Sequence, residues 1–125
     1  MGAVAPLNDL AATSPAERLR VGAVNYSVLV VIAGGVITGS TVGAIVAQVL
    51  VVVWLVGHVL SWWLPYFGRS TEAQRAAYRR EYSRTLKILP TDGHDVVVDV
   101  QHMVVGALTV PMVIFVTWHT ITVLS

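Results

Sequence analysis

The sequence predicts an all-α integral membrane protein with three transmembrane helices and an amphipathic helix lying at the cytoplasmic interface. Three observations carry that prediction. Of 125 residues, 55% are hydrophobic and 12% charged, with a mean hydropathy of +0.71, and a chain this short cannot enclose so much apolar surface within itself. No charged residue occurs from Val21 to Phe67, a run of 47 positions. All eight lysines and arginines fall in two stretches flanking that run, which two crossings would return to one side.

A run of that length is too long for a single crossing. As one helix it would extend roughly 70 Å, whereas about 20 helical residues cross a bilayer core. It must fold back, and Gly39-Ser40-Thr41 is the most turn-like cluster near its middle. The first span is therefore read over 21–38 and the second over 42–66. Gly35, Gly39 and Gly43 stand at four-residue spacing, a small-residue packing stripe if the helix were unbroken, which locates the break only to within several residues. The third span is read over 98–123, where Pro111 removes a backbone donor and predicts a kink. The whole chain, 1–125, then reads as a single membrane domain with a tail over 1–20. In that tail Ser14-Pro15-Ala16-Glu17 reads as a helix start. Asp9 and Glu17 ahead of a long apolar run are unlike a cleavable secretory signal.

Charge sets the expected orientation. Arg18 and Arg20 lie in the tail, and Arg69, Arg75, Arg79, Arg80, Arg84 and Lys87 lie between spans two and three. The positive-inside tendency makes that side cytoplasmic, so a multi-pass protein of the cell's inner (plasma) membrane is expected, N-terminus inside and C-terminus outside. Trp62, Trp63, Tyr66 and Phe67 sit where the second span should leave the bilayer, a depth at which amphipathic rings collect. Thr71 and Gln74 form a capping box, and Tyr78, Tyr82, Thr85, Leu86 and Leu89 recur at helical spacing. This predicts a helix over 71–89 that dips Tyr78 and Tyr82 into the headgroup region and turns Arg79 and Arg84 to water or anionic lipid. The plainer alternative is a helix packed on the protein's own loops.

The landmarks Trp62-Trp63, Pro65-Tyr66-Phe67-Gly68, Tyr78-Arg79, Arg84-Thr85, Leu89-Pro90, Gly93, and Asp99 with His102 form a string over roughly residues 58–110. In it the chain resembles a family of small bacterial integral membrane proteins, and the resemblance implies a membrane architecture without an assigned activity. Val98 stands where that pattern has proline before the aspartate, which blurs the start of span three.

Polar groups inside a membrane are costly, so Asn25, Gln48, His58, Asp99 and His102 are the candidate site residues. If spans two and three were neighbours, His58 and His102 would reach similar depth and suit a haem held by two imidazoles. The simpler expectation is that each histidine is neutral and hydrogen-bonded to an adjacent helix. Asp99 with His102 fits either a proton-handling pair or an aspartate at a helix start. His94 and His119 read as solvated. With no cysteine, thiolate metal sites, disulfides and cysteine nucleophiles are excluded, and no histidine–glutamate metal spacing, phosphate loop or nucleophile elbow occurs. No basic tract or nucleic-acid motif is present either, so no nucleic-acid partner is expected.

A non-enzymatic protein that works by helix association is therefore expected, as a homo-oligomer or an accessory subunit in the lipid bilayer. Gly34, Gly35, Gly39, Gly43 and Ala47 supply the small residues such contacts need. Two alternatives stand beside it: a transport or channel subunit lined by Gln48, His58 and Thr109 between protomers, and a haem protein using His58 and His102.

Overall fold

The computed structural model describes residues 5–125, so the first four residues of the 1–20 tail lie outside the described residues. Among the described residues four α-helices make up the architecture: α1, Pro15–Ile37; α2, Thr41–Tyr66; α3, Glu72–Glu81; and α4, Val100–Leu124. One 3-10 turn, Leu10–Ala12, precedes them. Among the described residues there is no strand. Helices α1, α2 and α4 are each long and apolar enough to cross a membrane.

Local chemistry explains the ends. Pro15 opens α1, with Glu17 in its first turn, where a missing donor and a negative charge are both favourable. The helix runs on through Arg18 and Arg20, so the tail's helix start and the first span are one element. Gly39, at φ +64°, ends it in the left-handed conformation that glycine adopts without a Cβ penalty. Ser40 then caps α2, its hydroxyl accepting from the Gly43 N–H at 3.0 Å. Helix α4 passes through Pro111 without interruption.

The chain divides into two compact units, one of residues 15–56 and 107–125, the other of residues 1–14 and 57–106. In the first, Ile32, Ala47, Val51 and Val116 are buried together, flanked by Val28, Val36, Leu50, Met112 and Val113. Here α1 and α2 approach backbone to backbone. A Cβ on Gly35 would collide with the Gly43 carbonyl, and one on Gly43 with the Gly35 carbonyl and the Thr38 and Ser40 hydroxyls. Gly35, Gly43 and Ala47 thus serve the contact between α1 and α2 within the chain. Gly34 has nothing within 4 Å of its Cβ position.

In the second unit Trp62, Tyr66, Val96, Val97 and Val98 form the core, with Trp63, Tyr78, Tyr82, Leu89 and Met103 against it. The helix expected over 71–89 is shorter. The capping box of Thr71 and Gln74 starts it as predicted, but it stops at Glu81. The Ser83 hydroxyl takes the Arg79 carbonyl, and the Lys87 ammonium collects the carbonyls of Tyr82, Ser83 and Thr85 at 2.7–3.2 Å, satisfying the helix end with side chains instead of another turn. Tyr78, Tyr82 and Leu89 are partly buried against the protein's own core. Arg79 and Arg84 are exposed and paired, with Glu72 and Asp9. Trp62 and Tyr66, expected as boundary anchors, are buried at 8% and 7% exposure, and only Phe67 of that cluster is open, at 72%.

The glycine contact gives a paired prediction. Gly35→Ala should lower stability by about 1–3 kcal/mol through overpacking, whereas Gly34→Ala should be neutral or gain up to about 1 kcal/mol of helix propensity. Denaturation of the two variants in the same detergent measures both.

Candidate functional site

The residues singled out near the start of α4 converge on one side chain. Asp99 caps α4, its Oδ1 accepting from the backbone N–H of His102 at 2.9 Å and lying 2.6 Å from His102 Nδ1. Its Oδ2 accepts from the Thr85 hydroxyl at 2.8 Å. The carboxylate has no accessible surface, so these bonds replace water. Burial alone would push the Asp99 pKa up; the His102 side chain and N–H, the charge His102 can carry, and the Thr85 hydroxyl outweigh it and hold the carboxyl below its ordinary value. The helix-start expectation for Asp99 therefore describes its backbone bond, and the same oxygen also orients the imidazole.

His102 is held on its other sides by rings. Trp62 stacks on it at 3.9 Å with planes 25° apart, and Tyr82 meets it edge-on at 5.4 Å. Trp62 and Tyr82 touch at 4.8 Å, again edge to face. The imidazole is consequently fixed in plane by Asp99 and in tilt by Trp62 and Tyr82.

A feature absent from the sequence reading places Trp62. From Val59 to Trp63 the second helix widens to a π-helical turn, with the Leu64 N–H donating to the Val59 carbonyl five residues back. On a regular helix, side chains three and four apart share a face. Here residues five apart do so: the Trp63 indole N–H donates to His58 Nε2 at 3.3 Å. Indole can only donate, which makes Nε2 the unprotonated nitrogen of His58. That nitrogen also lies where a Cβ on Gly106 would be, at 2.6 Å. Gly106 is one turn beyond His102 on α4, so the glycine makes room for the second imidazole. No periodicity signals a π-turn; the adjacent Trp62-Trp63 and Pro65 are the only hint the sequence offers.

The remaining candidates are placed as follows. His58 and His102 each have a partner of their own, Trp63 and Asp99. Gln48 Nε2 donates to the Thr117 hydroxyl at 3.1 Å, and its Oε1 is buried without a partner among the described residues. Thr109 is buried. Asn25, with Tyr26 and Ser27, is exposed on α1. The two histidines expected to be solvated are part-buried: His94 stacks on Tyr66 at 3.9 Å with Nδ1 2.7 Å from the Tyr66 carbonyl, and His119 Nε2 is buried without a partner among the described residues. Among the described residues no group of three histidine or acidic side chains could hold a metal ion. Compared with protein-family models, curated proteins and solved structures, the chain matches none.

Chemically, the site is a carboxylate–imidazole pair whose geometry is over-determined by rings and by the helix terminus. Asp99→Ala should cost about 3 kcal/mol, because the Thr85 hydroxyl and the His102 donors lose their buried acceptor. Asp99→Asn should cost less, since an amide oxygen still caps the helix. The folded pKa lies below the unfolded one, so the carboxylate's contribution is complete above the unfolded value and disappears as pH falls through the folded value. The native chain should lose stability on acidification below about pH 4, and the Asp99→Asn variant should show a shallower loss in the same titration.

Proposed function

We propose that the chain is a three-span integral membrane protein that works by helix association, as a homo-oligomer or an accessory subunit of a membrane complex, and not by catalysis. The observation that carries this reading is on α1. Asn25, Tyr26 and Ser27 are all exposed there, Tyr26 at 72%. Tyr26 and Ser27 line a shallow, open and largely apolar depression along α1 together with Gly22, Ala23 and Val30. Polar side chains turned toward hydrocarbon are costly, and small residues beside them admit a second helix closely enough to hydrogen-bond. With Gly35, Gly43 and Ala47 engaged between α1 and α2, the 22–30 stretch of α1 offers exposed polar and small residues to a partner.

In this reading α1, α2 and α4 cross the membrane, and three crossings put the tail and residues 67–99 on one side. The positive-inside tendency of the eight basic residues favours the cytoplasm for that side and the exterior for the C-terminus. The Asp99–His102 cluster then shapes the water-facing end and leaves association to α1.

The chain has no cysteine, so single introduced thiols test both statements. Ser27→Cys should give a disulfide-linked dimer in native membranes, or an adduct with a second subunit, while Ile114→Cys, exposed on α4, should give neither. Monomer alone from both variants, with a monomeric native mass, would reject the association. For orientation, a membrane-impermeant maleimide added to intact cells should label Ser125→Cys and spare Arg84→Cys; the reverse pattern would invert the topology.

A further inference from the structure

Next to Trp62, and apart from its contact with His102, lies a cavity of about 330 Å3. Its lining residues include Trp62, Tyr78, Tyr82, Glu81, Ser61 and Gln74. No lysine or arginine lines it. Gln74 is already spent, its Oε1 accepting from the Thr71 N–H and its Nε2 donating to the Leu60 carbonyl. What remains is three aromatic residues and one carboxylate, which disfavours an anion.

Three details define the charge the cavity would accept. The Glu81 side chain is only 21% exposed, whereas its ion-pair partner Arg80 is 65% exposed, and a surface guanidinium screened by water neutralises a carboxylate weakly. The neighbouring Tyr82 hydroxyl senses it: burial first, then Glu81 and Asp99, push its pKa up against an opposing pull from Arg80. Tyr78 already accepts a cation, with the Lys87 ammonium 5.3 Å from its ring centre, within cation–π range. A bare divalent ion would want six or more oxygens, and the walls combine three aromatic residues with a single carboxylate. A cation with an apolar skin fits them better.

We propose that this cavity binds a quaternary alkylammonium group, its methyl surface against Trp62, Tyr78 and Tyr82 and its charge balanced by Glu81. A choline-type lipid headgroup and a free quaternary amine share that chemistry. The site is independent of the α1 surface, so its failure and the failure of association are separate results.

The test uses the full chain in maltoside detergent, titrated with tetramethylammonium chloride against sodium chloride at equal ionic strength. The Trp62 indole N–H resonance is followed. A second arm compares nanodiscs of phosphatidylcholine with nanodiscs of phosphatidylglycerol. A saturable shift with tetramethylammonium, and none with sodium, is expected; a shift confined to the phosphatidylcholine discs would assign the same chemistry to lipid. Tyr78→Leu and Glu81→Gln should each weaken the response about tenfold, while Tyr78→Phe, which keeps the ring, should stay within about twofold. No saturable shift in either arm would overturn the proposal. So would undiminished binding in Tyr78→Leu and Glu81→Gln variants whose helical circular dichroism is unchanged.

Discussion

A carboxylate withdrawn wholly from water, that of Asp99, is the constraint around which the unit of residues 1–14 and 57–106 is arranged. A buried charge is tolerable only when hydrogen bonds replace its hydration, and each replacement has a structural consequence. The backbone N–H of His102 commits α4 to start at Val100. The Thr85 hydroxyl draws the 82–89 segment inward, where it cannot continue α3. The backbone follows: the Leu86 carbonyl accepts from the Val100 N–H at 2.9 Å, and the Leu86 N–H donates to the Pro6 carbonyl at 2.8 Å. Arg84 closes the same region by pairing with Asp9. One buried acceptor thereby ties three segments distant in sequence.

The π-turn in α2 is the matching adjustment on the other wall. An additional residue in one helical turn changes which side chains face together, so Trp62 lies flat on His102 while Trp63 reaches His58. Without it, neighbouring tryptophans would diverge by the ordinary helical angle with no reason for both to find imidazoles. Such turns are irregularities that a helix keeps where a side chain must be re-aimed, and here two are re-aimed at once. Gly106 completes the arrangement by leaving space for the His58 ring.

In the other unit the controlling fact is steric. Gly35 and Gly43 bring the α1 and α2 backbones closer than any side chain allows, with Ala47 alongside. Close contact of this sort spends the small residues inside the hairpin. The polar and small residues of α1 between Gly22 and Val30 remain outside it, and the proposed association rests on that division.

Helix content, the fold-back near Gly39 and the capping of α3 by Thr71 and Gln74 were all legible in the residues. Each depends on local rules of apolar run length, left-handed glycine and side-chain capping that act within a few positions. Asp99 with His102 was legible as a pair for the same reason, standing three residues apart at a helix start. What only the tertiary structure decided was every contact made across segments. Thr85 reaches Asp99, α3 stops at Glu81, and Tyr78, Tyr82 and Leu89 pack against the protein core. Trp62 and Tyr66 are buried, and His94 stacks on Tyr66 and meets its carbonyl. An amphipathic pattern states that one face must be covered but not by what, since lipid and protein are equally apolar to it. The positions of the buried polar partners settle that choice, and those partners lie far apart along the chain.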